Sequence, residues 1–421
     1  MKKILSVFAL AVLSGIVYLF LLSHKPQQIH FRYSLNGDLA KALEEVVNKF
    51  NAQNSGYKVV LEFGGDYKTS FTKTFEDQNT QKPHLLMVAE FNTITMQQRE
   101  KDYIPLYKLL DIESSGFVPV IKEFYTFRQD DGKKLLYSLP FNCSTAILFY
   151  NKDAFKKAGL PDRAPETWEE MEQYAEKLKE KGYTAFTSAW PAAYIFEHFS
   201  SVHNIPYATG KNGLEDPNPT LLINSEPFIK QLEQFHHWLK KGFYVYGSRK
   251  VESAEEKFVK QECAMILQGA NRLSFLKDKG FEVGVGTYPY WKKMVPTGPY
   301  ALNVCGTSIW VLSGHPSYEG VKAFLKYLAS ESTQTYWHQR TGYLPVTLAS
   351  YKKTKSSGFY DTHPAPYMAV KQLIERENHP LPGIRIPNYA EIREKVIDAI
   401  EAVLIDGKSP KEALDQVVSA R

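Results

Sequence analysis

The sequence predicts a two-lobed α/β protein, on three observations. At 421 residues the chain exceeds what one ordinary hydrophobic core organises, so it divides into two lobes. Hydrophobic residues make up 43% and aromatics 14%, too much apolar side chain for a mainly disordered polymer. From about residue 28 onward, apolar β-type runs alternate with amphipathic helical stretches, the spacing of an α/β domain with a largely parallel sheet.

The elements follow in order. Met1-Lys2-Lys3 and the apolar run over 4–22 have the basic head and hydrophobic body of an export segment. The following Ser-His-Lys-Pro-Gln-Gln lacks a small-x-small cleavage pattern, so residues 1–28 are read as a signal peptide or an N-terminal membrane anchor. No cysteine follows the apolar run to accept a lipid. Residues 28–33 read as a strand, 34–37 as a turn and 38–51 as a helix; 58–63 read as a second strand, 67–77 as a second helix and 85–89 as a third strand. Ligands in such sheets sit beyond the carboxyl ends of strands, where Ser34, Gly64 to Tyr67 and Glu90 fall.

The stretch 140–168 carries the most information. Asn142, Cys143, Ser144 and Thr145 lead into the apolar run 146–150, and Asn151 and Asp153 then open a helix that Gly159 closes. Hydroxyls and backbone N–H groups at the head of a buried strand, without a neighbouring base or nucleophile, suit a site that grips a small molecule. Helices are expected over 167–181, 226–241 and 254–260, a strand over 302–312 and a helical region over 315–340 that Gly342-Tyr343-Leu344-Pro345 ends. The tail 364–421 reads as helical apart from a loop over 379–387.

Composition excludes several functions. The 51 basic and 46 acidic residues are interspersed, and their balance of +5 contains no long basic block, so nucleic acid is not expected. The motifs HExxH and GxSxG do not occur, and Ala402 stands where a phosphate loop ending at Gly407-Lys408-Ser409 would need its first glycine. His236 and His237 diverge on a helix with no carboxylate set nearby, so neither metal nor cofactor is expected. Cys143, Cys263 and Cys305 fit buried thiols better than a disulfide framework, with a Cys143 to Cys305 pairing left open.

Several separated motifs resemble the family 1 extracellular solute-binding proteins of bacterial ABC importers: YSLNGDL at Tyr33, FNCSTAILFYNKDAFKKAGL at Phe141, ESAEEKF followed by CAM at Glu252, GTSIWVL at Gly306, WHQRTGYLPVT at Trp337 and GIRIPNYAEIR at Gly383. The resemblance runs from about Phe31 to Val417 and is nearest to members that bind sn-glycerol-3-phosphate. It implies a hinged, two-lobed fold that closes over one ligand in a cleft between the lobes and presents it to a membrane permease, without reaction or cofactor. It also implies a monomer working in the periplasm. The lobes expected are 29–140 with 300–345, and 141–299 with 346–421.

Carried over by position, the resemblance implies that Tyr67 and Glu90 hold glycerol hydroxyls, that Ser144 donates a hydroxyl and that Trp190 forms an aromatic wall. It assigns the phosphate end to Gly306, Tyr343 and Arg385. The chemistry of each residue suits its role: a carboxylate accepts from two hydroxyls, a guanidinium presents a planar fork to phosphate oxygens, and an indole covers a carbon skeleton. Two positions depart from the family pattern. Gly269 stands where a hydroxyl donor is expected, leaving its backbone N–H, with Arg272 three residues on as a candidate replacement. Ala193 stands where a second tryptophan is expected, and this smaller wall leaves room for a glycerophosphodiester such as glycerophosphocholine. The competing readings are a sugar-binding member of the same family, which needs no anion clamp, and an exported phosphodiester hydrolase using Glu90 as acid or base.

Overall fold

The structure, a computed structural model, describes residues 26–419 apart from 55, 78–80, 113–115 and 377–379. The expected export segment therefore lies, up to residue 25, outside the described residues. Among those described, no helix is long and apolar enough to cross a membrane.

Two mixed sheets form the lobes. The first has the order β2-β1-β3-β13-β4, with β7 also beside β13: β1 (Gln27–Tyr33), β2 (Tyr57–Phe63), β3 (Leu85–Ala89), β4 (Tyr103–Ile104), β7 (Leu139–Ser144) and β13 (Cys305–Leu312). Strands β1, β2 and β3 run parallel and β13 runs against β3. A small hairpin of β5 (Thr126–Arg128) and β6 (Lys134–Leu136) stands apart. The second sheet has the order β10-β9-β11-β8-β12: β8 (Ala146–Asn151), β9 (Thr184–Ser188), β10 (Tyr244–Tyr246), β11 (Cys263–Gly269) and β12 (Val283–Thr287).

Local sequence explains these elements. Helix Gly37–Gln53 buries Ala42, Leu43, Val46, Val47 and Phe50, one stripe at three- and four-residue spacing. Phe50 packs edge-on against Phe324 of helix Glu319–Ala329, with ring centroids 4.9 Å apart. In the second lobe Thr167 caps helix Trp168–Glu180 by accepting from the Glu170 N–H, which sets Trp168 among Phe186, Phe235 and Trp238. Asn151 caps the next helix after β8 in the same manner, accepting from the Ala154 N–H at 3.0 Å. Burying these large aromatic faces contributes about 2 to 3 kcal/mol each.

The chain crosses between the sheets at three places. Only Thr145 separates β7 from β8. The return runs between Thr287 and Cys305, and a last crossing follows helix Pro364–Leu373 and leads to helix Tyr389–Leu404 in the second core. These segments are stitched together. The Val304 N–H donates to Pro382 O at 2.8 Å, and Gln372 joins the other crossings by accepting from the Tyr288 N–H and donating to Ala146 O. Val346, Tyr360, Ala365, Ala369 and Val370 pack in the core continuous with the first sheet and with Ile147 and Phe149 of β8.

All three cysteines are free thiols. Register sets Cys143 opposite Gly306 and Cys305 opposite Ser144, and burial pushes the Cys143 thiol far above its usual range.

Candidate ligand-binding crevice

Strand direction brings the first lobe's site residues to one edge. Tyr33, Phe63 and Ala89 end the parallel strands β1, β2 and β3, so Ser34, Tyr67 and Glu90 follow at the same side of the sheet. Antiparallel β13 begins there, with Thr307 opposite Ala89, and β7 ends there with Ser144 opposite Cys305. Asp66 caps the helix that Tyr67 opens, accepting from the Thr69 N–H at 2.8 Å.

Glu90 accepts from the Gly306 N–H at 3.0 Å. Burial raises its carboxyl above the usual carboxylate range, Glu197 adds to the rise, and Arg393 opposes it. Gly306 is required by geometry: its φ is +120°, and a Cβ there would lie 1.8 Å from Asn142 O. The Tyr67 and Tyr343 phenols lie close enough to act on each other electrostatically. Burial is the main reason both titrate high, Tyr343 at about 12. The Ser144 hydroxyl oxygen is buried without a hydrogen-bond partner, and so is that of Ser34. A Cβ on Gly269 would lie 3.6 Å from Ser144 Oγ, which sets these two positions side by side across the crossing.

The second lobe presents its own edge, where β9 ends at Ser188 and β11 at Gly269 opposite Ala146. Trp190 follows β9 with 47% of its surface exposed and a left-handed φ of 42°, its ring stacked near Tyr194 at a centroid distance of 6.2 Å. Tyr194 donates to Gln268 at 2.9 Å, and Gln268 donates to Glu255 at 3.2 Å. Glu255, fully buried, grips Arg272 through two bonds of 2.6 and 2.7 Å. Burial would lower the Arg272 guanidinium pKa, but Glu255 holds it above its ordinary value.

The two arginines of the GIRIPNYAEIR motif have different fates. Arg385, 6% exposed, donates to Phe124 O and Thr126 O on one side and to Leu214 O at 3.1 Å on the other, with its guanidinium 4.6 Å from the Phe127 ring centroid. Burial lowers it to about 10, and the charge acting on it is Glu123. Arg385, expected at the phosphate end of the ligand, thus directs Nη1 and Nη2 to main-chain carbonyls, while its Nε is buried without a partner, and it is not the guanidinium beside Glu90. Arg393 is the arginine beside Glu90, its Nη1 3.5 Å from Oε1. Its other edge is held by Glu197, with Nε 2.8 Å from Oε1 and Nη2 3.1 Å from Oε2, and Tyr389 donates to Oε1 at 2.8 Å. Burial would lower the Arg393 pKa, yet Glu197 and Glu90 drive it well above its ordinary value.

Sequence reasoning missed Arg393, Glu197 and Glu255. A signal existed for the first: Tyr389 and Arg393 lie four apart and share a helix face with the buried Ile392 and Val396. Glu197 closes the π-helical stretch Ala192–Glu197, a turn type found often at functional sites. Glu255, on helix Val251–Val259, carries no such signal in sequence and is buried where Arg272 and Gln268 satisfy it.

Two sheets joined by three crossings, with polar groups from both converging at the junction, define the class of a hinged solute-binding protein. The model for bacterial extracellular solute-binding proteins matches residues 36–335. The chain belongs to this family. It is 35% identical over 404 residues to the sn-glycerol-3-phosphate-binding periplasmic protein UgpB of Escherichia coli K12, covering 93% of this chain and 90% of that one. Among solved structures it resembles UgpB from Mycobacterium tuberculosis in complex with glycerophosphocholine, at a TM-score of 0.76 and 18% identity, over 94% of this chain and 98% of that one. It also resembles maltose-bound MalE3 of T. maritima, at 0.75 and 19%, over 93% and 98%. Both likenesses concern the fold.

Proposed function

We propose that this protein captures a glycerol phosphate ester, sn-glycerol-3-phosphate or a glycerophosphodiester, in the periplasm and delivers it to an ABC permease. The observation that carries the reading is the meeting of Glu90, from the first sheet's edge, with Arg393, from the second lobe, where buried hydroxyls wait without partners. The 35% identical relatives named for sn-glycerol-3-phosphate binding support the ligand class.

Tyr67 and Glu90 would hold the glycerol hydroxyls, Ser144 and the Gly269 and Gly306 backbones would supply short polar contacts, and Trp190 would cover the carbon skeleton. Arg393, in place of Arg385, would offer Nη1 to the phosphate, with Tyr343 beside it. Ligand bound to both lobes shifts the population toward the closed form, because only that form makes both sets of contacts. A shift from about 1% to about 99% closed takes roughly 5.5 kcal/mol of differential affinity. One charge-assisted pair supplies about 1.5 to 3 kcal/mol of it, so several contacts act together. The protein acts by binding, as a monomer, and leaves its ligand unchanged.

A thermal-shift panel of glycerol-3-phosphate, glycerophosphocholine, maltose and glycerol tests this. Ligand at about 100 times its dissociation constant stabilises by roughly 2.7 kcal/mol. A response to maltose and to neither phosphate would overturn the glycerol phosphate reading. Glycerophosphocholine recovered intact after long incubation is the expected result, and its cleavage would point to a hydrolase.

A further inference from the structure

Both arginines at the crevice are already matched by buried carboxylates. Glu255 takes two N–H bonds of Arg272, and Glu197 takes the Nε and Nη2 edge of Arg393, leaving Nη1 toward Glu90. Glu197 is itself 3% exposed and fixed by the Tyr389 hydroxyl. Two formal positive charges thus face three negative ones. If Glu90 holds a proton, the balance is zero; if it does not, the balance is one negative charge.

We propose that Glu197 is a specificity-determining residue: by gripping Arg393 it leaves the crevice without net positive charge, so the site takes a singly charged phosphodiester in preference to a doubly charged phosphomonoester. This rests on the glycerol phosphate reading above and refines it. A phosphate ester can meet Nη1 of Arg393 without displacing Glu197. A first negative charge is answered by that N–H, by the Tyr343 phenol and by backbone donors. A second has no matched cation left among the described residues that face the site. In a crevice shielded from water an unanswered like charge weighs more than it does in bulk solvent.

Among the described residues, a small set of groups surrounds Arg393 and Glu197, Tyr207 among them. Glu90 comes from the turn after β3, Cys305 from the start of β13, Glu197 from the π-helical stretch and Tyr389 from its own helix, with the Phe91 ring 5.4 Å away. Tyr194 stands in the field of both arginines. His198 is bonded to Asn303, and burial lowers it to about 4, so it brings no charge near neutrality. The half-exposed indole of Trp190 is the surface left open to the ester's second substituent.

Calorimetric titration of the whole protein with glycerol-3-phosphate, glycerophosphocholine and the uncharged-headed diester glycerophosphoglycerol tests the proposal between pH 5 and pH 8. A phosphomonoester gains its second charge near pH 6, whereas a diester keeps one throughout. Both diesters should bind about tenfold or more tightly than glycerol-3-phosphate at pH 8, a gap equal to one pKa unit of interaction. That gap should close toward pH 5. Protonation of Glu90 would favour a dianion more than a monoanion, so the same titration on Glu90→Gln separates that contribution from the ligand's own second ionisation. Glu197→Gln should narrow the gap at pH 8. Should that variant fold poorly, the wild-type pH profile decides alone. Glycerol-3-phosphate binding as tightly at pH 8 as at pH 5, and no weaker than the diesters, would overturn the role given to Glu197. A calorimetric response to none of the phosphates at any pH would remove the glycerol phosphate reading, and this refinement with it.

Discussion

Nη1 of Arg393 lies 3.5 Å from Oε1 of Glu90, which places a guanidinium of the second lobe against a carboxylate at the edge of the first sheet. The pair is not a closed salt bridge, since Glu197 holds the other edge of the guanidinium and Gly306 donates to the other oxygen of Glu90. Each partner keeps capacity facing the junction, which is what a ligand bridging two lobes requires.

The motif's two arginines should separate in experiment. Arg393→Lys keeps a charge beside Glu197 and removes the fork. Affinity for a phosphate ester should fall about tenfold or more, as expected for losing a charge-assisted contact of about 1.5 to 3 kcal/mol, with a smaller loss of stability because the ammonium can still pair with Glu197. Arg385→Ala should do the opposite. It strips the carbonyls of Phe124, Thr126 and Leu214 of their donor, at about 1 to 3 kcal/mol for each left unsatisfied, so stability falls by at least about 2 kcal/mol while affinity changes less. Urea unfolding alongside calorimetry distinguishes them, and a stable, non-binding Arg385→Ala would reverse the assignment.

Trp190 offers a test in which stability and binding diverge. A bulky residue in the left-handed region carries about 1 to 2 kcal/mol of strain, and glycine would relieve it while adding about 0.5 to 1 kcal/mol of unfolded-state entropy. Because the indole is half exposed, little packing is lost. Trp190→Gly should therefore unfold within about 1 kcal/mol of the parent and bind the ligand about fivefold or more weakly, the value of roughly 1 kcal/mol for an aromatic contact. Undiminished affinity would show that the indole does not face the ligand.

Much of the frame was legible because it follows from periodicity and punctuation. Strand 85–89 is bounded as expected, and helix 37–53 extends the expected 38–51 by one residue at its start and two at its end. Strand β7 was read only as a polar approach, because Asn142, Cys143 and Ser144 lack β-type composition; pairing with β13 makes them a strand. Ser34, Tyr67 and Glu90 could be set at one edge by strand direction alone, whereas Gly306, at the start of antiparallel β13, was reached only through the resemblance. Arg385 and Arg393 could not be told apart this way. Both flank apolar residues within one motif, and which guanidinium meets carbonyls and which meets carboxylates depends on elements near Phe124 and Glu197, far away in sequence.

Gly306 tolerates no side chain. Gly306→Ala would drive a methyl into Asn142 O at 1.8 Å on a backbone with φ of +120°, at the point where β13 pairs with β7 and donates to Glu90. Relief requires β13 to shift, which disturbs the crossing and frees the Glu90 carboxylate. We expect a loss of more than about 2 kcal/mol in urea unfolding together with loss of ligand response, since strain and an unsatisfied buried acceptor add. A variant as stable as the parent would mean that this backbone conformation is not adopted in solution.

Buried histidines contribute to the pH response, among them His84, which burial lowers to about 4. Burial lowers His198, His203 and His338 to about 4, and His338 links the crevice to the neighbouring helices by bonding Tyr343 O and the Tyr360 hydroxyl. Their folded-state values lie below the unfolded value near 6.5, so the unfolded chain binds protons first as pH falls. Stability attributable to them is complete above about pH 6.5 and is lost as pH falls toward 4, at roughly 1.4 kcal/mol per pH unit for each histidine within that window. Urea midpoints should be level from pH 8 to 7 and decline from 6.5 to 4.5, and His338→Gln should make the decline shallower. The same midpoint at pH 7 and pH 5 would show that these imidazoles are not held neutral.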